Sequence, residues 1–281
     1  MIKVLQPGIH TSVQDLGRFG YRNIGVPVSG AMDSISAGFA NALLNNDKND
    51  AVLEITMFGP SLEFTHSTTI IITGAEMTPK LNNKDIINYK LYQIKSGDIL
   101  TFGKLTKGLR CYLGVKGGFK SAYILKSRSF YDGITSKGFL QKSDIIEYDE
   151  EKTSSNLNYP TINPKNQFFE TTTIEVFKGP EFELFTSYEQ EKLLSEMNSI
   201  SNKINRMGYR LEEVKVTHNK SIITSPVIPG TVQLTPSGQL IILMKDAPTT
   251  GGYPRVFQLS EKSIAIMAQK KTGDIFSFKL L

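Results

Sequence analysis

The chain has one cysteine, three histidines and no tryptophan in 281 residues, and each scarcity closes off a chemistry. A lone Cys111 excludes an internal disulfide framework and a Cys-rich metal site, and it fits a reducing compartment. It lies in the alternating run Arg110-Cys111-Tyr112-Leu113-Gly114-Val115 with no acid–base partner beside it, so it reads as a buried strand thiol. His10, His66 and His218 are too far apart for a local ligand motif, and no metal site is expected. Long apolar runs are also missing. The longest, Leu240 to Met244, falls far short of the roughly 20 residues that a spanning helix needs. The opening Met1-Ile2-Lys3-Val4-Leu5-Gln6-Pro7-Gly8 breaks into a turn before a signal-peptide core forms, so a cytoplasmic protein with no membrane partner is expected. Charge of one sign is scarce too: 32 basic against 27 acidic residues leave +5, scattered along the chain, which argues against a nucleic-acid partner.

What is present is ample apolar content for two packed cores, at about 150 residues per domain. Most periodic segments alternate with period two and are rich in Ile, Thr, Val, Tyr and Phe, as in Thr68 to Thr73, Ile86 to Tyr92, Arg110 to Val115 and Ile275 to Leu280. The chain is therefore mainly β, with a few short helices. Steps of three and four from Met32 through Ile35, Phe39 and Leu43 mark one helix. Ser187 and Gln190, read as a capping box ahead of Leu193, mark another. A phrase recurs: Lys95-Ser96-Gly97-Asp98-Ile99 resembles Lys271-Thr272-Gly273-Asp274-Ile275, and Lys142-Ser143-Asp144-Ile145 echoes both without the glycine. Each predicts a turn feeding a strand. Gly59-Pro60 and Gly179-Pro180 open a second echo at a different offset, which suggests two related β halves with unequal insertions and not a tandem array. The polar stretch Asp149 to Gln167 is the expected seam between an N-terminal half, 1–150, and a C-terminal half, 166–281.

The standard nucleotide and hydrolase signatures fail. No P-loop, no Gly-x-Gly-x-x-Gly ahead of a helix and no Gly-x-Ser-x-Gly elbow is present. Three glycine-bearing polar segments remain. The first runs from Thr11 through Asp15 and Arg18 to Ser29-Gly30-Ala31-Met32-Asp33 at the first helix's start, where free N–H groups and Arg18 can hold an anion, or where Ser29 and Asp33 merely cap the helix. The second, Asn205-Arg206-Met207-Gly208-Tyr209-Arg210, sets two guanidinium groups four residues apart, either converging on an anion or solvated. In the third, Asp246-Ala247-Pro248-Thr249-Thr250-Gly251-Gly252-Tyr253-Pro254-Arg255, successive amides offer an anion nest or a plain hairpin loop.

These blocks resemble a known family: the C subunit of bacterial ATP-dependent 5-oxoprolinase, also described as the second allophanate-hydrolase subunit or kinase-inhibitor-antagonist family, whose domain also forms part of the carboxyltransferase region of urea carboxylase. Thr11 to Arg18, Ser29 to Asp33, Ala40-Asn41, Leu53-Glu54, Gly59-Pro60, Gly117-Gly118, Arg206 to Leu211, Pro229 to Gln233 and Thr249 to Pro254 carry the resemblance over nearly the whole chain. It implies two cyclophilin-like β-barrel halves. It also implies two 5-oxoprolinase partners, one like the B subunit and of related build, the other like the hydrolytic A subunit. The implied reaction opens the 5-oxoproline lactam to L-glutamate, with ATP and Mg as co-substrate and with phosphorylation of the lactam oxygen as a plausible division of labour. On that resemblance Asp15, Asp33 and Asp246 are expected to be catalytic. Gln14, Arg18, Ser29, Arg206, Tyr209, Arg210, Gln233, Thr249, Thr250, Gly251, Gly252, Tyr253 and Arg255 are expected to bind substrate or phosphate. Two departures stand out: Ile204-Asn205 replaces the family's Ser-Asp, and Pro248 stands where the family's Asp-x-Gln-Thr-Thr-Gly-Gly has Gln.

Two rival functions stay open. One is the carboxyltransferase component of a biotin-dependent urea or amide carboxylase; Leu243-Met244-Lys245-Asp246 lacks the Ala-Met-Lys-Met setting of a biotinylated lysine, so no covalently bound biotin is expected. The other is a non-enzymatic antagonist of a sensor-kinase inhibitor.

Overall fold

The computed structural model describes residues 1–151, 167–195 and 197–281. The expected seam at Asp149 to Gln167 falls almost wholly on 152–166, outside the described residues. The chain forms two compact units, one made of Met1–Arg18 with Ser29–Lys165, the other of Phe19–Val28 with Asn166–Leu281. Phe19–Val28, counted in the N-terminal half on sequence, thus groups with the second unit.

The class is mainly β. In the first unit a six-stranded sheet runs Ile145–Ile146, Ile2–Gln6, Ser61–Phe64, Ile99–Thr101, Lys80–Leu81, Lys84–Asp85, and a five-stranded sheet runs His10–Gln14, Val52–Thr56, Lys107–Val115, Thr68–Glu76, Tyr92–Ile94. Period-two alternation sends Ile2, Val4, Leu62 and Phe64 from one sheet, and Val13, Leu53, Ile55, Cys111 and Leu113 from the other, into one core. Cys111 is fully buried there, and burial pushes its thiol pKa up, so it rests as a protonated packing group. The opposite face of the five-stranded sheet, with Val52, Ile71 and Tyr112, takes the helix Ser34–Leu43 through Ala37, Ala40 and Leu43. Gly114 permits that approach, since a Cβ there would lie 2.8 Å from Leu44.

The second unit is a closed seven-stranded barrel: Thr173–Lys178, Arg255–Leu259, Thr231–Leu234, Gln239–Leu243, Gly208–Val214, Asn198–Ile204, Ile275–Leu280. The first and last of these pair in parallel, which leaves no free edge. Phe182, Phe257, Phe276 and Phe278 are buried in this unit at ring separations of 5.1–5.4 Å. A separate two-stranded ribbon pairs Ser225–Pro226 with Thr250–Gly251.

The repeated phrase forms the same turn three times. Asp98, Asp274 and Asp144 each accept the backbone N–H three residues earlier, at 2.7–3.0 Å, and each leads into a strand. Gly97 and Gly273 hold φ of +88° and +84°; where the third copy has no glycine, Ser143 takes the same left-handed conformation at +71°. Other local readings need correction. Ile86 to Leu91 forms no strand, and pairing begins only at Tyr92. The capping box at the helix Ser187–Ser195 is Thr186 with Glu189, one residue earlier than expected, while Gln190 turns back to the Phe182 and Phe185 carbonyls. A further helix, Glu261–Ala268, was missed because its face is almost uniformly apolar and lacks an amphipathic period; Ser260 caps it.

Candidate functional site

Thr11 to Arg18 turns out to be built for holding its own unit together. The Asp15 carboxylate, 4% exposed, accepts Gly17 N–H at 2.8 Å, Ser127 Oγ–H at 2.7 Å, Arg128 N–H at 2.6 Å and Ser129 Oγ–H at 2.6 Å. Four donors saturate it, so the expected catalytic acid is a loop anchor: accepting a substrate proton would release a protein donor. Gln14, fully buried, donates to Ser12 Oγ and to the Phe130 carbonyl. Arg18, also fully buried, donates from Nε to Ile124 O at 3.3 Å and from Nη2 to Ser129 O, so two of its nitrogens serve the same 124–130 loop.

Asp33 is the helix N-cap, accepting Ile35 and Ser36 N–H at 3.1 and 2.9 Å and the Ser36 hydroxyl at 2.6 Å. It occupies the helix N-terminus that was expected to hold a ligand anion. Ser29 does not cap; it is buried at φ +57° with its hydroxyl unpartnered. The turn is held instead by Glu54 and Tyr112, both fully buried: Met32 N–H donates to Glu54 at 2.7 Å, Tyr112 O–H donates to Glu54 at 2.9 Å, and Asp33 N–H donates to the Tyr112 oxygen at 2.7 Å. Burial, then the Glu54 charge, drives the Tyr112 pKa well up, keeping it a neutral donor. Arg110 Nε lies 3.8 Å from Glu54 Oε1. Asp15 and Asp33, both expected to be catalytic, are thus each engaged by protein donors.

In the second unit Gln233, Arg255 and Thr249 to Tyr253 meet at the ribbon, while Arg206 and Asp246 pair with each other. Arg206 donates from Nε and Nη2 to Asp246 at 2.7 and 3.1 Å, and Asp246 N–H donates back to the Arg206 carbonyl. Arg255 forks onto Glu181 at 2.8 and 2.6 Å and donates its third nitrogen to Pro226 O. The Arg255 hydrogen bonds hold the Glu181 carboxyl below the ordinary range, while Glu181 raises the guanidinium. Both arginines are therefore neutralised by internal acids instead of waiting for an anion, and Asp246 is an ion-pair partner. Arg210 alone of the four expected anion-binding arginines is exposed, on the outer face of Gly208–Val214. Tyr209, its neighbour, is fully buried on the inner face, because period two turns adjacent residues to opposite sides.

Thr249 to Gly252 is no anion nest. None of the four residues has a positive φ, and Thr250–Gly251 is an extended ribbon strand. Gly251 leaves room for the Gln233 amide, since a Cβ there would meet Nε2 at 2.4 Å. Gln233, 5% exposed, reaches past it to the Tyr253 carbonyl. Thr250, Gly252 and Tyr253 are exposed beside it, and Thr249 is half-buried. The departures are also explained: Asn205 Oδ1 accepts Met207 and Gly208 N–H at 2.8 and 3.1 Å, so the turn keeps its acceptor without a charge, and Pro248 is exposed just ahead of the ribbon. Sequence reasoning missed Glu181 and Arg22. Glu181 follows the echoed Gly179-Pro180, which was its one signal. Arg22 donates to the Val227 and Thr249 carbonyls at the ribbon's ends.

Residues 24–280 match the carboxyltransferase domain, subdomains A and B. The chain belongs to that family. It is 31% identical to the C subunit of Escherichia coli 5-oxoprolinase, over 99% of this chain and 90% of that protein, and 29% identical to the Haemophilus influenzae counterpart, over 91% of it. It is also 31% identical to urea amidolyase of Saccharomyces cerevisiae, but over only 16% of that protein. Among solved structures, TTHA0988 superposes with a TM-score of 0.87 at 25% identity, and K. lactis urea amidolyase with 0.86 at 28%. They cover 99% and 100% of this chain; it spans about half (55%) of the TTHA0988 chain and 18% of the urea amidolyase. Among the described residues no helix is long and apolar enough to cross a membrane.

Proposed function

We propose that this chain is the C-type component of an ATP-dependent 5-oxoprolinase, binding and orienting the lactam in its second unit while A-like and B-like partners complete the reaction. The observation that carries the reading is the match to the E. coli C subunit of 5-oxoprolinase, 31% identical over 99% of this chain and 90% of that protein. The ribbon supports it. Thr250 and Tyr253 offer hydroxyl groups to a small polar ligand, the buried Gln233 holds the Tyr253 carbonyl, and the Arg255–Glu181 pair stiffens their surroundings. Asp15, Asp33 and Asp246 are all engaged, so this chain's part is positioning, with proton transfer assigned to a partner. The loop expected to cradle phosphate is extended, and the nucleotide too is assigned to a partner.

The test is to mix the chain with its A-like and B-like partners and follow glutamate release that requires both ATP and 5-oxoproline. Release above the two-partner control supports the reading, and none above it refutes it. The match to the carboxyltransferase domain and the urea amidolyase relatives favours a second reading, carboxyl transfer from a partner's carboxybiotin to urea or a related amide. Transfer of labelled carboxyl dependent on this chain would support that instead.

A further inference from the structure

Arg206 and Arg255 of the second unit are each neutralised by an acid, and Arg22, at the ribbon, is not. Arg206 has Asp246, and Arg255 has Glu181. Arg22 has no carboxylate partner among the described residues; its hydrogen bonds go to the carbonyls of Val227 and Thr249. Those two carbonyls bracket the ribbon, Val227 following the strand Ser225–Pro226 and Thr249 preceding Thr250–Gly251, and Val227 N–H itself donates to Thr249 O at 3.2 Å. One planar guanidinium therefore ties both strands at the same end. Its Nη1 is buried with no acceptor. The segment carrying it is a tight turn: Gly25, at φ +83°, closes Arg22–Ile24 by donating to the Arg22 carbonyl. Arg22 is fixed from both its backbone and its side chain.

We propose that Arg22 is a positioning residue that sets the ribbon Ser225–Pro226/Thr250–Gly251 and supplies its uncompensated positive charge, so that the site selects a small anionic ligand, a carboxylate, over its neutral analogue. The substrate class rests on the function proposed above; the clamp does not. With the other two guanidinium charges cancelled locally, the field at the exposed Thr250, Gly252 and Tyr253 is governed by Arg22.

The experiment uses the full chain as wild type, Arg22→Gln and Arg22→Lys. Hydrogen exchange of peptides spanning 225–227 and 249–253 tests the clamp. Arg22→Gln is expected to speed exchange there by about tenfold while the barrel strands keep their protection. Arg22→Lys restores the charge but not the two-carbonyl fork, so it protects the ribbon only in part. Unchanged ribbon exchange in Arg22→Gln overturns the clamp. Ligand-observed NMR with 5-oxoproline and its carboxamide tests the charge. The wild type and Arg22→Lys should prefer the carboxylate, and Arg22→Gln should lose that preference by about tenfold. No preference in the wild type, or an undiminished one in Arg22→Gln, overturns the charge assignment. Neither arm needs turnover: failure of glutamate release with all partners present would count against the proposed function, and faster ribbon exchange in Arg22→Gln would still support the clamp.

Discussion

The two units spend the same kinds of residue in opposite ways. In the first, Gln14, Asp15, Arg18 and Asp33 are turned inward and consumed by loop and helix ends. In the second, charges are paired but polar groups of Thr250 and Tyr253 remain exposed at the ribbon. A block of polar residues in sequence thus marks a fold requirement in one unit and a candidate ligand surface in the other, and only the count of satisfied hydrogen bonds separates them.

The sharpest way to break this contrast is Asp15→Ala. It strands two hydroxyls and two N–H groups, and it should cost about 3–5 kcal/mol in urea unfolding of the first unit. A cost below about 1 kcal/mol would show that the carboxylate is not the anchor described. Next comes Glu181→Gln in the second unit. Arg255 depresses the Glu181 pKa, so the pair's stabilisation is present above the unfolded carboxyl's value and is lost as pH falls through the lower folded one. The variant should lose about 1–2 kcal/mol at neutral pH and show a flatter acid limb. An unchanged acid limb would contradict the pairing. Ser143→Gly should stabilise the first unit by about 0.5–1 kcal/mol, because φ +71° strains a serine; thermal melting checks the sign. Smallest in stability is Gly251→Ala. The new Cβ meets the movable end of Gln233, so unfolding free energy should change by less than about 1 kcal/mol while ligand binding weakens.

How far the sequence is legible follows from the same division. Local chemistry is readable: the Lys-x-Gly-Asp turns, the β alternation and the helix after Asp33 all depend on neighbours within about four residues. Ion pairs are not. Arg206 and Asp246 are 40 positions apart, and Glu181 and Arg255 are 74 apart, so nothing in either block says that its charge is already cancelled. The ribbon's register is likewise set from outside, by Ser225–Pro226 and Arg22, which is why Thr249 to Gly252 reads as a nest in isolation and folds as a strand. Tyr209 against Arg210 is legible in principle, since strand alternation allows only one of the two to face outward.

The contrast is tested most directly by comparing Gln233→Leu and Asp15→Asn in the glutamate-release assay reconstituted with both partners, with each rate expressed per folded molecule. Gln233→Leu is expected to lower kcat/KM for 5-oxoproline by about a hundredfold with little change in melting temperature, while Asp15→Asn melts lower but keeps near wild-type kcat/KM once folded. The reverse pattern, with activity lost in Asp15→Asn and kept in Gln233→Leu, would place the ligand in the first unit and contradict the contrast.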